Sequence, residues 1–252
     1  MKYTVADPSG NITLLIESPC EPENRRETAL ALMSREPFSE QAGFLGPGDG
    51  ECDVSLYMSG GEFCGNAAMS AAAWLCRERG MCVPGEEAEL RVRVSGEAEP
   101  VSVHVRCGEN GEYDCRITMP APLKIEMREM PLVHFGGISH YISEKPVERA
   151  AAEAEVRERC AALGVDALGI MFLDEAAGEM MPLVCVRESE TLFWEHSCAS
   201  GTAAAGAYLA AKAGKGISVS LAQPGGTLRV EAEPGKSPVL FGKVRLNDSI
   251  EI

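Results

Sequence analysis

Two cysteines, Cys64 and Cys198, stand at matching places in two similar segments. Residues 63–80 read FCGNAAMSAAAWLCRERG and residues 197–214 read SCASGTAAAGAYLAAKAG, an offset of 198 − 64 = 134. Ala71, Ala73 and Leu75 align with Ala205, Ala207 and Leu209, Trp74 with Tyr208, and Gly80 with Gly214. Such self-similarity argues for two related halves. A thiol just ahead of a helix meets free N–H groups and partial positive charge, which favour its thiolate. The same N–H groups bind a carboxylate. Two such helix starts would grip one α-carboxylate and bring a sulfur to each face of the α-carbon. That arrangement suits stereoinversion: one thiolate removes a proton, the opposite thiol supplies one, and the pair exchanges states at each turnover. The residues after each cysteine are small (Gly65; Ala199 and Ser200), so the backbone can approach a ligand.

A lone cysteine beside a helix is more commonly a small buried hydrophobe. Cys20, Cys52, Cys76, Cys82, Cys107, Cys115, Cys160 and Cys185 receive that reading. The repeat sets Cys64 and Cys198 apart from them.

The elements that must hold these thiols are partly visible. Each repeat predicts a helix, because alanine dominates it and a glycine follows the last turn. Alanine on nearly every face predicts that other structure wraps the helix. Residues 12–17, 89–94, 101–106, 116–119, 168–173, 183–186 and 228–231 read as short strands. Residues 148–163 alternate alanine with charge and predict a surface helix. Met119-Pro120-Ala121-Pro122 is the natural joint. The expected layout is an N-terminal half over 1–120, carrying Cys64, and a C-terminal half over 121–238, carrying Cys198. The final strand, 239–252, is free to return to the first half.

Composition narrows the partners. The 252 residues carry 23 Lys plus Arg against 38 Asp plus Glu, a net charge of −15. That surface repels nucleic acid and anionic membranes. The opening apolar run is broken by Asp7, Pro8 and Asn11, so no secretory signal is read there. No stretch has the length a membrane helix needs. The expected compartment is the cytoplasm, with ten cysteines as free thiols rather than disulfides. No CxxC or zinc spacing occurs, and no phosphate-binding glycine pattern, so neither metal nor cofactor is expected.

GGEFCGNAAMS and WEHSCASGTAA resemble the two cysteine motifs of the diaminopimelate epimerase superfamily, and PSGNITLL resembles its opening strand. MSGGEFCGNA, WEHSCASGTA and QPGG are most similar to the histidine racemases of staphylopine-type metallophore biosynthesis. The resemblance implies an α/β (α+β) fold of two pseudo-symmetric halves, each a curled β-sheet around a central helix, with the active site between them. It implies Cys64 and Cys198 as the two bases. It implies substrate contacts from Asn11, Gly65, Asn66, the backbone of Ala199 and Ser200, and Glu195, whose carboxylate would hold the substrate ammonium. Glu40 and Gln41 fall where the family lines the cleft mouth. His140, in GGISHYIS, lies in a segment similar to a cleft wall.

The departures matter too. Diaminopimelate epimerases hold a distal carboxylate with an Arg and several Asn side chains. Here His196 follows Glu195, and Met58, Ile138 and Gly169 stand where those Asn residues are expected. A carboxylate without its bidentate Arg would be poorly compensated. The expected reaction is therefore inversion of L-histidine to D-histidine, without a cofactor. The alternatives are a diaminopimelate epimerase, a racemase of another neutral amino acid and, more distantly, a non-catalytic amino-acid-binding relative. Proline-type racemases usually have His where this chain has Asn66. A redox protein would be expected to carry CxxC. The partner expected is a small-molecule amino acid, with a homodimer left open.

Overall fold

The computed structural model describes residues 1–145, 148–187 and 190–252. The chain forms two units, Met1–Thr118 with Phe241–Ile252, and Met119–Leu240.

In the first unit β1 (Lys2–Pro8) pairs antiparallel with β2 (Thr13–Ile16). Helix α1 (Arg25–Met33) then leads to β3 (Gln41–Pro47), parallel to β2. Strand β4 (Val54–Met58) runs antiparallel to β3, and helix α2 (Gly65–Glu78) leads to β5 (Glu87–Val94), parallel to β4. Strands β6 (Val101–Cys107) and β7 (Glu112–Thr118) follow antiparallel. Along β6, Val101, Val103, Val105 and Cys107 are buried while the residues between them are not. That period of two turns one sheet face towards α2, which packs on β1, β2 and β4 through β7. Helix α1 covers another part of the sheet, with Ala29 and Leu32 against Tyr3, Leu14, Ile16 and Phe44.

The second unit opens with β8 (Lys124–Glu126), β9 (Leu132–His134) and β10 (Ser139–Ser143), joined antiparallel. Helix α3 (Arg149–Leu163) leads to β11 (Ala167–Asp174), parallel to β10, and β12 (Glu179–Val186) returns antiparallel. Strand β13 (Thr191–Trp194) pairs with the outer end of β12. Helix α4 (Ala199–Ala213) then leads to β14 (Ile217–Gln223), parallel to β12, and β15 (Gly226–Ala232) pairs antiparallel with β14. Glu148 caps α3, its carboxylate accepting from the N–H groups of Ala150 and Ala151. Val156 and Cys160 of α3 pack against Leu168, Ile170 and Leu183.

The chain closes with β16 (Val239–Leu246) and β17 (Ile250–Glu251). Residues 244–246 pair antiparallel with β1, and β16 also pairs with β7, so the first unit's strands close into a ring around α2.

The repeat seen in the sequence recurs in the topology. From β1 to β6 the pairings run antiparallel, parallel, antiparallel, parallel, antiparallel. From β9 through β10, β11, β12 and β14 to β15 they run in the same order. Each parallel step is bridged by a helix: α1 and α3 at the first, α2 and α4 at the second. The architecture is the mixed α/β one expected, two similar halves each wrapped around a central helix.

Small side chains are what let strands close on those helices. Every residue from Ala199 to Ala210 is buried. A Cβ at Gly206 would lie 2.6 Å from Val230 on β15, so even alanine there would force a shift. Both central helices end at left-handed glycines, Gly80 (φ +79°) and Gly214 (φ +64°). Six of the eight cysteines read as buried hydrophobes are buried. Cys82 is exposed and Cys20 half-buried, because both lie in loops outside the sheets.

Candidate active site

Cys64 is the N-cap of α2 and Cys198 the N-cap of α4. Their backbone angles are nearly identical, φ −131° and ψ 111° against φ −131° and ψ 109°. Each sulfur accepts a hydrogen bond from the N–H three residues on, Ala67 at 3.4 Å and Gly201 at 3.3 Å. The capping place normally taken by a serine or aspartate oxygen is thus held by sulfur.

In the first unit the Cys64 thiol donates to Gln41 Oε1 at 3.2 Å. Gln41 Nε2 in turn donates to Asn11 Oδ1 and to Thr13 Oγ1, the latter at 2.8 Å. Asn11 Nδ2 donates to Glu40 Oε2 at 2.6 Å. Cys64, Gln41, Asn11 and Glu40 therefore form one string from thiol to carboxylate. Local geometry sets it up. Ser9 and Gly10 both have positive φ, and Gly10 N–H donates to Asp7 Oδ1 at 2.6 Å, a tight turn that delivers Asn11 beside the start of β3. The parallel register of β2 and β3 sets Gln41 opposite Thr13, and Glu40 N–H donates to Ile12 O at 2.9 Å. Asn66 is buried in the first turn of α2, next to Gly65.

The approach to Cys64 is fixed by two residues that carried no signal in the sequence. Ser95 Oγ donates to Glu62 O at 3.0 Å and accepts from Met58 N–H at 2.9 Å. Gly96 has φ +75°, and a Cβ there would come within 2.4 Å of Phe63 N. Only glycine fits that approach.

In the second unit Cys198 is 5% exposed. Its N–H donates to Gln223 Oε1 at 2.8 Å, and Gln223 Nε2 donates to Thr202 Oγ1 at 2.9 Å. Thr202 Oγ1 donates back to Cys198 O at 2.7 Å, which closes the loop around the first turn of α4. The Pro224-Gly225 turn between β14 and β15 ties the incoming strand down, with Gly225 N–H donating to His196 O at 2.8 Å. Gln223 and Thr202 were not singled out in the sequence. The quoted QPGG segment was the signal for Gln223, because a turn after a strand fixes where the last strand residue points.

Burial pushes the Cys198 thiol well above its ordinary value, and the nearby Glu195 carboxylate pushes it further. The Ser200 hydroxyl and the Gly201 N–H pull the other way without matching them. This differs from the lowered pKa that a helix start alone predicts. Desolvation and a like charge outweigh the helix end here. Cys198 in this state keeps its proton as a thiol.

Ser200 Oγ lies 3.6 Å from Cys198 Sγ and 2.9 Å from His140 Nε2. His140 is wholly buried on β10, opposite Gly169 in the parallel register with β11. Burial lowers its pKa to about 3, so the ring is neutral. A Cβ at Gly169 would come within 2.4 Å of His140 Nδ1, so the glycine makes room for the ring. Met58 and Ile138 are both buried within their own units. Among the described residues no three His, Cys, Asp or Glu side chains gather as metal donors, and no helix is long and apolar enough to cross a membrane.

The chain matches the family model for the histidine racemase CntK N-terminal domain over residues 1–252. It is 33% identical over 229 residues to a histidine racemase of Fusobacterium nucleatum, covering 83% of this chain and 81% of that protein. It is 29% identical over 255 residues to a histidine racemase of Staphylococcus aureus, covering 92% and 89%. A hydroxyproline epimerase structure from Agrobacterium vitis shares the fold at 13% identity, with a TM-score of 0.69 over 100% of this chain and 90% of that one. By family model and by sequence identity, the chain belongs to the histidine racemase family, among the isomerases.

Proposed function

We propose that this protein racemises histidine without a cofactor, using Cys64 and Cys198 as its acid/base pair. The observation that supports this most directly is the pair of sulfur N-caps with matching backbone in a chain of this family. One thiolate takes the α-proton and the opposite thiol supplies a proton to the other face, so each turnover swaps their states. A helix start after each cysteine presents N–H groups suited to a carboxylate, and small Gly65, Ala199 and Ser200 allow close approach. Glu195 holds the ammonium. Asn11, Glu40, Gln41 and Asn66 line the substrate's surroundings on the Cys64 side. The relatives that match the chain are histidine racemases, and the side chain they act on is flat and neutral above a pKa of about 6.5. The mechanism needs both thiols reduced, which a reducing cytoplasm maintains.

The test is α-proton exchange in deuterated water, run side by side on L-histidine and on diaminopimelate at mildly alkaline pH. Exchange with net formation of D-histidine, and little or none with diaminopimelate, is expected. A higher specificity constant for diaminopimelate would overturn the substrate assignment.

A further inference from the structure

We infer that His140 is a positioning residue for Cys198, holding the Ser200 hydroxyl so that its proton points at the sulfur and favours the thiolate. The inference rests on the two-thiol reading above and deepens it on one side only.

The geometry that carries it is a short buried line of three groups. His140 Nε2 is 2.9 Å from Ser200 Oγ, and Ser200 Oγ is 3.6 Å from Cys198 Sγ. All three residues are buried. Orientation follows from which ring nitrogen carries the proton. A neutral imidazole has one donor and one acceptor. Nδ1 has no hydrogen-bond partner among the described residues, and the Gly169 backbone packs against it. A buried N–H without an acceptor is rarer and costlier than a lone pair left unused. The proton therefore sits on Nε2 and is donated to Ser200 Oγ. The hydroxyl, accepting from the ring, keeps its own proton to donate, and when Cys198 is a thiolate its sulfur, 3.6 Å away, can only accept.

The need for such a donor is specific to this helix start. Cys198 is desolvated and has Glu195 beside it, both of which oppose the thiolate. One N–H, from Gly201, stands on the other side of the balance, and Ser200 adds a second donor. Because the ring is neutral, it orients the hydroxyl without adding charge to the site. The place two residues after Cys64 is taken by Asn66, which has no hydroxyl, and the Cys64 thiol donates to Gln41. The device therefore belongs to one thiol and not to its counterpart.

The experiment is a titration of ultraviolet thiolate absorbance in the full-length protein without substrate. The Cys198 contribution is isolated by subtracting the matching Cys198→Ala variant in each background. Ser200→Ala and His140→Phe should both raise the Cys198 midpoint, by roughly 0.5–1 pH unit for the loss of one hydrogen bond. The Cys64 contribution, isolated with Cys64→Ala, should stay in place. His140→Gln presents an amide N–H to the same hydroxyl and should keep the Cys198 midpoint near that of the unmodified protein. An unchanged midpoint in Ser200→Ala overturns the inference, as does a shift in His140→Gln as large as in His140→Phe. Ser200→Ala leaves His140 in place, so a folding defect in a His140 variant does not remove the test. Racemisation that survives Cys198→Ala would overturn the two-thiol reading separately, since the titration does not depend on turnover.

Discussion

Cys64 and Cys198 sit on backbones whose ψ angles differ by 111 − 109 = 2°, and each caps its helix by the same bond to the third N–H. Around the sulfurs the two units diverge. Cys64 is half-buried and donates into a string of amides that ends at the Glu40 carboxylate. Cys198 is buried and meets a hydroxyl backed by a neutral imidazole, with Glu195 close by. The repeated backbone sets where a thiol goes. The unshared side chains set how readily it gives up its proton. In a racemase each thiol serves one enantiomer as base and the other as acid, so unlike settings are compatible with one reaction.

The largest effect should come from removing either thiol. Cys64→Ala and Cys198→Ala should each lower the racemisation rate by about 10²–10⁴-fold, the usual contribution of a general acid or base, while leaving the circular dichroism spectrum unchanged. Near-normal turnover by either variant would end the two-thiol mechanism.

Glu195→Gln should separate binding from acidity. With the proposed ammonium partner gone, KM for histidine should rise by about 10-fold or more, the weight of one charge-assisted hydrogen bond. Removing the like charge should also move Cys198 thiolate formation to lower pH. If the thiolate titration moved upward instead, Glu195 would not be the charge that opposes it. On the other side, Gln41→Leu should break the string at its middle, with a smaller loss, about 10-fold in kcat/KM, for one hydrogen bond to the thiol. A loss as large as that of Cys64→Ala would give Gln41 a direct part in the reaction.

Stability should answer to the supports. Gly96→Ala places a Cβ 2.4 Å from Phe63 N at φ +75° and should cost about 1–3 kcal/mol in denaturant melts. The pH dependence has a definite sign. His140 binds its proton less readily folded, at about 3, than unfolded, at about 6.5. The unfolded state therefore holds more protons between those values. The contribution is full above about pH 6.5 and is lost as pH falls towards about 3, by up to ~1.4 kcal/mol per unit. Comparing melts at neutral and mildly acid pH, His140→Gln should lose less stability on acidification than the unmodified protein. Equal losses would mean that the ring protonates in the folded state without cost.

A good part of the molecule was legible in the sequence because its causes are local. A cap bond spans three residues, alanine content and a following glycine mark a helix, and two copies of the pattern mark a repeat. The segments read as strands at 89–94, 101–106, 168–173 and 228–231 all lie within strands of the structure. Strands β1, β3, β4, β8, β9, β10, β13 and β14 were missed, since short mixed runs such as Gln41–Pro47 become strands only through their neighbours. What tertiary structure alone decided was partnership. Glu40 and Gln41 reach Asn11 because β3 lies parallel to β2 in one register. Ser95 and Gly96 brace a loop more than thirty residues away. His140 lies behind Ser200, sixty residues on, because β10, β11 and α4 pack together around Gly169. Sheet register and burial come from long-range packing and leave little trace in any short window of sequence. They decide whether a thiol at a helix start rests as a thiol or as a thiolate.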